Sequence, residues 1–425
     1  MRLSQPTAQF STPLITGVAV LFTLVFFTNI PSFLLISGRT VLAPSTWMYA
    51  FVAAVVVTTA SVWSSVAAAR FRRAPLLPLW GMLYLMAVLV WYLAFPETTA
   101  SSDTLRLQLS SMFFLGLAWV VFVLAAYGDP TLAAIRWTIL VAVLLGVLVN
   151  IYDITHPLEL VPLEAAGANP GRAAGFYVNA NQSGGALLVG MVLSIGLFRR
   201  YRALYALCVL AGVALTISRA AILGWFLIAT VMVFLNVLKV RDIIFGVLLL
   251  LLMGSLALQA LDDLHSLRLA LNAQNIAERL DWFVSFGMID EAVQQIRLNV
   301  ARLSWEAFAS APVFGNGLGA SLGWEGNIGA HNIYLRLMAE HGIIGILLFP
   351  ALVACFVVRA DERSRGIVFP LAIFLLFWGL FSHNVLEDYV FLLAYAIVDV
   401  YLTSSRGTSS RKPLRIGYTA VAPSG

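Results

Sequence analysis

Apolar residues in this chain run in long uninterrupted blocks instead of alternating with polar ones. Blocks bounded by charge, Pro or Gly lie at 14–37, 46–68, 74–95, 109–127, 132–151, 181–198, 202–217, 220–239, 242–260, 332–358, 366–382 and 386–404. A helix that crosses a bilayer needs about 20 mostly apolar residues, and in hydrocarbon every backbone polar group must be paired within the segment. Each block therefore predicts a helix, and the whole predicts an all-α polytopic membrane protein with about 12 transmembrane helices. An outer-membrane barrel is excluded, because its strands would alternate apolar and polar positions.

Composition sharpens this picture. Of 425 residues, 60% are hydrophobic and 11% charged, against about 25% charged in soluble domains. Little chain remains for a separate aqueous domain, which excludes a single-pass receptor or a membrane-anchored soluble enzyme. Residues 1–425 read as one integral membrane domain without internal repeats, and Met1–Pro13 leads into a retained first span, since no small-residue cleavage site follows. Cys208 and Cys355 each sit inside an apolar run and read as packing residues, with no disulfide framework.

Charge orients the spans. With the N-terminus inside, basic residues such as Arg70, Arg72, Arg73, Arg199, Arg200, Lys239, Arg241, Arg363 and Arg365 collect on the cytoplasmic side, as do both termini. The exceptions are Arg39, Arg106, Arg172, Arg219, Arg268, Arg279, Arg297, Arg302 and Arg336, and none of these outer bases is a lysine. Arginine presents a planar fork of donors that fits phosphate and stays charged in any environment. Two readings stand: the outer cluster holds a polyanion such as a lipid-linked diphosphate, or it pairs with outer acids including Asp262, Asp263, Glu278, Asp281, Asp290, Glu291, Glu306 and Glu325 as a solvated surface.

Two outer connections are long, 152–180 and 261–331. From Leu264 to Ser310 the second has no Pro and the helical spacing Ile296, Val300, Leu303, Ala307, which predicts two amphipathic helices over the membrane mouth. Beyond Pro312, the glycines Gly315, Gly317, Gly319, Gly323, Gly326 and Gly329 predict a flexible approach to His331. No strand precedes them, so they do not make a nucleotide loop, and no nucleic-acid partner is expected.

His331 stands where this connection enters a span, and an imidazole can accept a proton near neutral pH; the plainer alternative is an interfacial capping residue. Arg172 precedes the sixth block, and Arg219 is squeezed between two blocks, where an unpaired charge costs a few kcal/mol and an anionic ligand explains it. Arg302 shares a helical face with Trp305. Arg297 lies about 140° around the same helix, so the two do not grip one ligand together. Arg336 and Glu340, four apart, read as a structural pair. Asp262, Asp263 and His265 have too few donors for a metal cage, and no metal site is expected. Of His156, His341 and His383, His383 beside Glu387 and Asp388 is placed to support a site.

Together, the segment Arg172 to Asn181, the Ser218-Arg219 junction, the Trp305 to Gly319 run ending Pro-x-x-Gly-x-Gly, and Ala330-His331-Asn332-Ile333-Tyr334 followed by Glu340-His341-Gly342-Ile343-Ile344-Gly345 resemble the O-antigen ligase and polymerase superfamily. The resemblance spans about 170–350. It implies a membrane glycosyltransferase of GT-C-like architecture in the bacterial inner membrane, with its long loop and active site periplasmic. It further implies transfer of a glycan from undecaprenyl diphosphate, in the ligase to the lipid A-core oligosaccharide, within a surround of membrane lipids. Arg172, Arg219 and Arg302 or Arg297 would hold the diphosphate and His331 would act as base, with Asn179, Asn181, Asn332, Tyr334 and His383 in support. Fixed guanidinium donors can stand in for a divalent cation, so the expected reaction is metal-independent and inverting, without a cofactor. Alternatives are a repeat-unit polymerase and, from a different class, a transporter or flippase of a lipid-linked anion. Transporters place their binding groups near the midplane in paired repeats, a pattern not seen here.

Overall fold

The computed structural model describes residues 8–59, 76–125, 129–156, 159–162, 172–198, 200–260, 291–321 and 330–409, and these residues are helical or looped with no strand among them. The first helices are α1 (Ala8–Phe27) and α2 (Ile30–Ile36), bent by 43° about Asn29, whose backbone is left-handed. They are followed by α3 (Pro44–Thr59), α4 (Leu76–Ala94), α5 (Thr99–Ala125) and α6 (Asp129–Thr155). Next come α7 (Ala180–Ser194), α8 (Arg202–Leu215), α9 (Arg219–Phe234) and α10 (Val240–Ala260). The chain resumes with α11 (Glu291–Ser310), α12 (Ile333–His341), α13 (Ile343–Val357), α14 (Arg365–Trp378) and α15 (Tyr389–Ser409).

Every apolar block is largely helical over its described residues. Among these helices, Leu76–Ala94, Thr99–Ala125, Thr131–Thr155 and Ala180–Leu197 are long and apolar enough to cross a membrane, and the bent α1–α2 pair would make a fifth. Several other apolar helices are shorter: α9, at 16 residues, extends about 24 Å at 1.5 Å per residue, less than the hydrocarbon thickness of about 30 Å. Of the two amphipathic helices expected in the long connection, the second is α11; the first falls outside the described residues.

Helices α7 and α15 lie at the centre, and α15 is buried along its middle. Helix α15 packs against α5, α1 and α7, and Phe391, Leu392, Leu393, Ala394, Tyr395 and Ala396 are fully buried. Peripheral α4 shows the opposite pattern: Leu77, Trp80, Tyr84 and Val88 face inward while Leu79, Met82, Leu83, Met86, Val90 and Leu93 are exposed, as on a helix with one lipid face.

Segments that the charge pattern assigns to one side meet one another. At one end, Asp399 accepts a bond from the Trp119 indole at 2.9 Å and pairs with Arg359, and Arg136 donates to the Leu193 carbonyl at 2.8 Å. At the other end, the Trp91 indole donates to the Phe314 carbonyl at 2.5 Å, Gln108 to Glu387 at 2.9 Å, and Asn29 to the Phe176 carbonyl at 3.3 Å.

The block 332–358 is not one helix. It breaks at Gly342, with φ +64° and ψ −145°, because residues 312–317 dock there edge-on: Ile343 N–H donates to the Pro312 carbonyl at 2.8 Å, Asn316 N–H to Ala339 at 2.9 Å and Gly317 N–H to Glu340 at 3.2 Å. A Cβ on Gly342 would lie 2.4 Å from the Val313 carbonyl oxygen, and one on Gly315 would lie 2.4 Å from that of Glu340. The described glycines of the expected flexible run are thus close-docking positions with left-handed φ. That backbone region costs a non-glycine residue about 1–3 kcal/mol before any overlap is counted. Gly342→Ala should lower the unfolding midpoint in detergent by at least that energy; an unchanged midpoint would show that the docked edge contributes nothing.

Candidate active site

Arg172 is half-buried just before a short 3-10 turn, Gly175–Tyr177. Its Nε donates to the Thr216 carbonyl at 3.0 Å and one terminal nitrogen donates to Asn181 Oδ1 at 2.8 Å, while Ala173 N–H donates to the Leu215 carbonyl at 3.0 Å. The loop 172–174 is thereby stitched to the α8–α9 junction, three residues before Arg219. These bonds fix the orientation of the Arg172 guanidinium.

Arg219 is the first residue of α9, whose N-cap Ser218 accepts from Ala221 N–H at 3.4 Å. Asn179 caps α7 by accepting from Asn181 N–H at 2.8 Å. The first turns of α7 and α9 pack closely, since a Cβ on Gly184 would sit 2.6 Å from that of Ala221. Two helix N-termini and two arginines therefore share one corner, and helix N-termini present free N–H groups and partial positive charge to anions. Val178 (φ +62°) and Ile217 (φ +47°), both β-branched, hold left-handed backbone in these two segments. Such outliers persist where the surroundings over-determine them, and they cluster at functional sites.

His331 is exposed at the mouth of α12. Asn332 caps that helix, accepting from Tyr334 N–H at 2.9 Å and Leu335 N–H at 3.1 Å. The entrance is pinned to the end of α14, with Ile333 N–H donating to the Gly379 carbonyl at 2.9 Å and the Tyr334 hydroxyl to Leu376 at 2.9 Å. The His383 ring lies 5.7 Å from that of His331, centre to centre.

Behind the two histidines lies a buried polar chain. Arg336, 3% exposed, pairs with Glu340 at 3.4 Å and with Glu387 at 2.5 Å. Ser321 donates to Glu340 at 3.2 Å, while Gln108 donates to Glu387 and accepts from Tyr84 at 2.8 Å. The arginine corner joins the histidine corner through Gln182, next to Asn181, whose amide donates to Asp388 at 3.0 Å.

Arg302 points to solvent and pairs along its own helix with Glu306 at 3.4 Å, and Trp305 is exposed as well. Arg297 belongs to α11, with its side chain outside the described residues, as are Asp262, Asp263, His265, Arg268 and Arg279. The sequence pairs Arg336 with Glu340 and places Glu387 beside His383, but gives no sign that Glu387 also pairs with Arg336, 51 positions away. Among the described residues, no group of His, Cys, Asp and Glu is arranged to hold a metal ion.

Burial, with Arg336 and then His331 adding like charge, lowers His383 from 6.5 to about 3. Between these values the unfolded chain binds more protons than the folded one, so stability falls as the pH drops through this interval. His383→Gln, which does not titrate, should show a smaller loss of unfolding midpoint between about pH 7 and about pH 4.5 than the parent; an equal loss would contradict a buried neutral imidazole.

These features define a helical membrane protein with a basic corner and a histidine pair on one face. Residues 204–350 match the family model described as O-antigen ligase, which supports the O-antigen ligase superfamily. The matched stretch includes Arg219, α11, the docked glycines and His331, while Arg172 and His383 lie beyond it. No curated protein matches the chain.

Proposed function

We propose that the protein is an O-antigen ligase of the bacterial inner membrane, moving a polysaccharide from undecaprenyl diphosphate to the lipid A-core oligosaccharide on the periplasmic face, with both termini cytoplasmic. The observation that carries this reading is the convergence of Arg172, Arg219 and two helix N-termini at one corner, joined through Gln182 and Asp388 to His331 and His383. The acceptor hydroxyl oxygen attacks the anomeric carbon, the bond from that carbon to the phosphate oxygen breaks, and the diphosphate leaves with the electron pair. His331 takes the hydroxyl proton. Arg172 and Arg219 neutralise the charge growing on the diphosphate, with Arg302 or Arg297 approaching from α11, so the reaction needs no divalent cation. A single displacement inverts the anomeric centre.

Hydrogen bonds to charged groups contribute about 1.5–3 kcal/mol each. Arg219→Ala should therefore weaken binding of undecaprenyl diphosphate by roughly 10- to 150-fold, read as a direct titration of the purified protein; unchanged affinity would remove Arg219 from the anion site. Deletion of the gene distinguishes the family's two reactions. Loss of a ligase leaves polymer on the lipid carrier, whereas loss of a polymerase leaves single repeat units on lipopolysaccharide, and the first outcome is expected.

A further inference from the structure

Between the arginine corner and the histidine corner lies a cavity of about 280 Å³. It is far larger than the ~30 Å³ share of one water and close to the ~300 Å³ lower end of small-molecule pockets. Ser32 of α2, Gln182 of α7, and Asn384 and Asp388 of the turn before α15 line it, together with Tyr177 and Tyr389. Among the described residues, no Lys, Arg or His contributes to the lining, and Glu387 adds a second carboxyl.

This chemistry is the opposite of the neighbouring corner. With no Lys, Arg or His among its described lining residues, the cavity offers a phosphate no counter-charge. Amide, hydroxyl and carboxyl groups instead offer mixed donors and acceptors, matching a ligand that is itself both donor and acceptor at many positions. Gln182 follows the Asn181 that orients Arg172, and Asn384 follows the His383 that faces His331. Asp388 Oδ1 accepts from Gln182 at 3.0 Å, tying the two walls together. In a displacement of diphosphate by an activated hydroxyl, the space between the anion and the base belongs to a sugar.

We propose that this cavity is a monosaccharide subsite, holding one pyranose ring through the side chains of Ser32, Gln182, Asn384 and Asp388. The assignment rests on the ligase reading for the position of the anion and the base. The ring is either the first sugar of the lipid-linked donor or the terminal sugar of the acceptor; both have the same polyhydroxyl chemistry.

The test uses the purified full chain in detergent and three probes: undecaprenyl diphosphate without sugar, the same lipid bearing one N-acetylhexosamine, and lipid A-core. Asn384→Leu and, separately, Ser32→Leu fill the cavity with methyl groups. Binding of the sugarless lipid should stay within about twofold of the parent, which also reports an intact fold. A loss of about tenfold for the sugar-bearing lipid assigns the cavity to the donor, and the same loss confined to lipid A-core assigns it to the acceptor. Unchanged binding of both sugar-bearing probes, or an equal loss for all three, overturns the proposal. Failure of the ligase reading would register elsewhere, as sugarless-lipid binding that ignores Arg172→Ala and Arg219→Ala.

Discussion

Replacing His331 with alanine is expected to reduce glycan transfer by about 10²- to 10⁴-fold, the usual contribution of a positioned general base, while binding of the lipid-linked donor stays near the parent value. The separation follows from where the residue sits. His331 is exposed at the mouth of α12, ahead of the Asn332 cap, and the bonds that fix the α12 entrance to α14 are made by Ile333 and Tyr334. Removing the imidazole leaves the Arg172 and Arg219 corner in place, so the effect falls on turnover. His331→Gln, which keeps the size and a polar end but accepts no proton at neutral pH, should be as inactive as alanine. Near-normal turnover in either variant would show that another group takes the proton.

Arg336→Ala should be the most destabilising single change in the site region. The guanidinium lies between Glu340 and Glu387, all three nearly buried, and its removal leaves two carboxyls facing each other in a poorly solvated place. Breaking a buried pair by removing one partner costs about 3–5 kcal/mol. The loss should appear as a lowered unfolding midpoint in detergent, accompanied by loosening of the loop that carries His383, because Glu387 belongs to that turn. Replacing both carboxyls with amides in the Arg336→Ala background should recover part of the loss, since the repulsion is then gone. A midpoint within about 1 kcal/mol of the parent would mean that water reaches these groups freely.

The sequence made the helical character plain, because long apolar runs are a direct consequence of a bilayer solvent. Arg172, Asn181 and Arg219 were legible for a related reason, being polar residues at the edge of apolar blocks where each needs a partner. The glycine run was misread, since tight backbone docking and flexibility call for the same residue, and only the partner strand of chain at 339–343 distinguishes them. The break at Gly342 was hidden by the same contact: blocks 332–341 and 343–357 are continuous in hydropathy. The pairing of Glu387 with Arg336 escaped notice because ion pairs between distant segments leave no periodic trace, whereas the Arg336–Glu340 spacing does. Arg302 shows the converse. Its face-sharing with Trp305 was read correctly, but a helical face says nothing about which way it turns, and both side chains meet solvent beside Glu306.

The central claim is that outer-face guanidiniums hold a lipid carrier's diphosphate while His331 readies an acceptor hydroxyl. Its most direct test mixes purified protein in detergent with labelled glycan on undecaprenyl diphosphate and with lipid A-core, without nucleotide and with chelator present. The account predicts label transferred to lipid A-core with inverted anomeric configuration, and no transfer by His331→Ala. Absence of transfer, together with movement of the labelled lipid across vesicles containing the protein, would contradict it and identify a transporter instead.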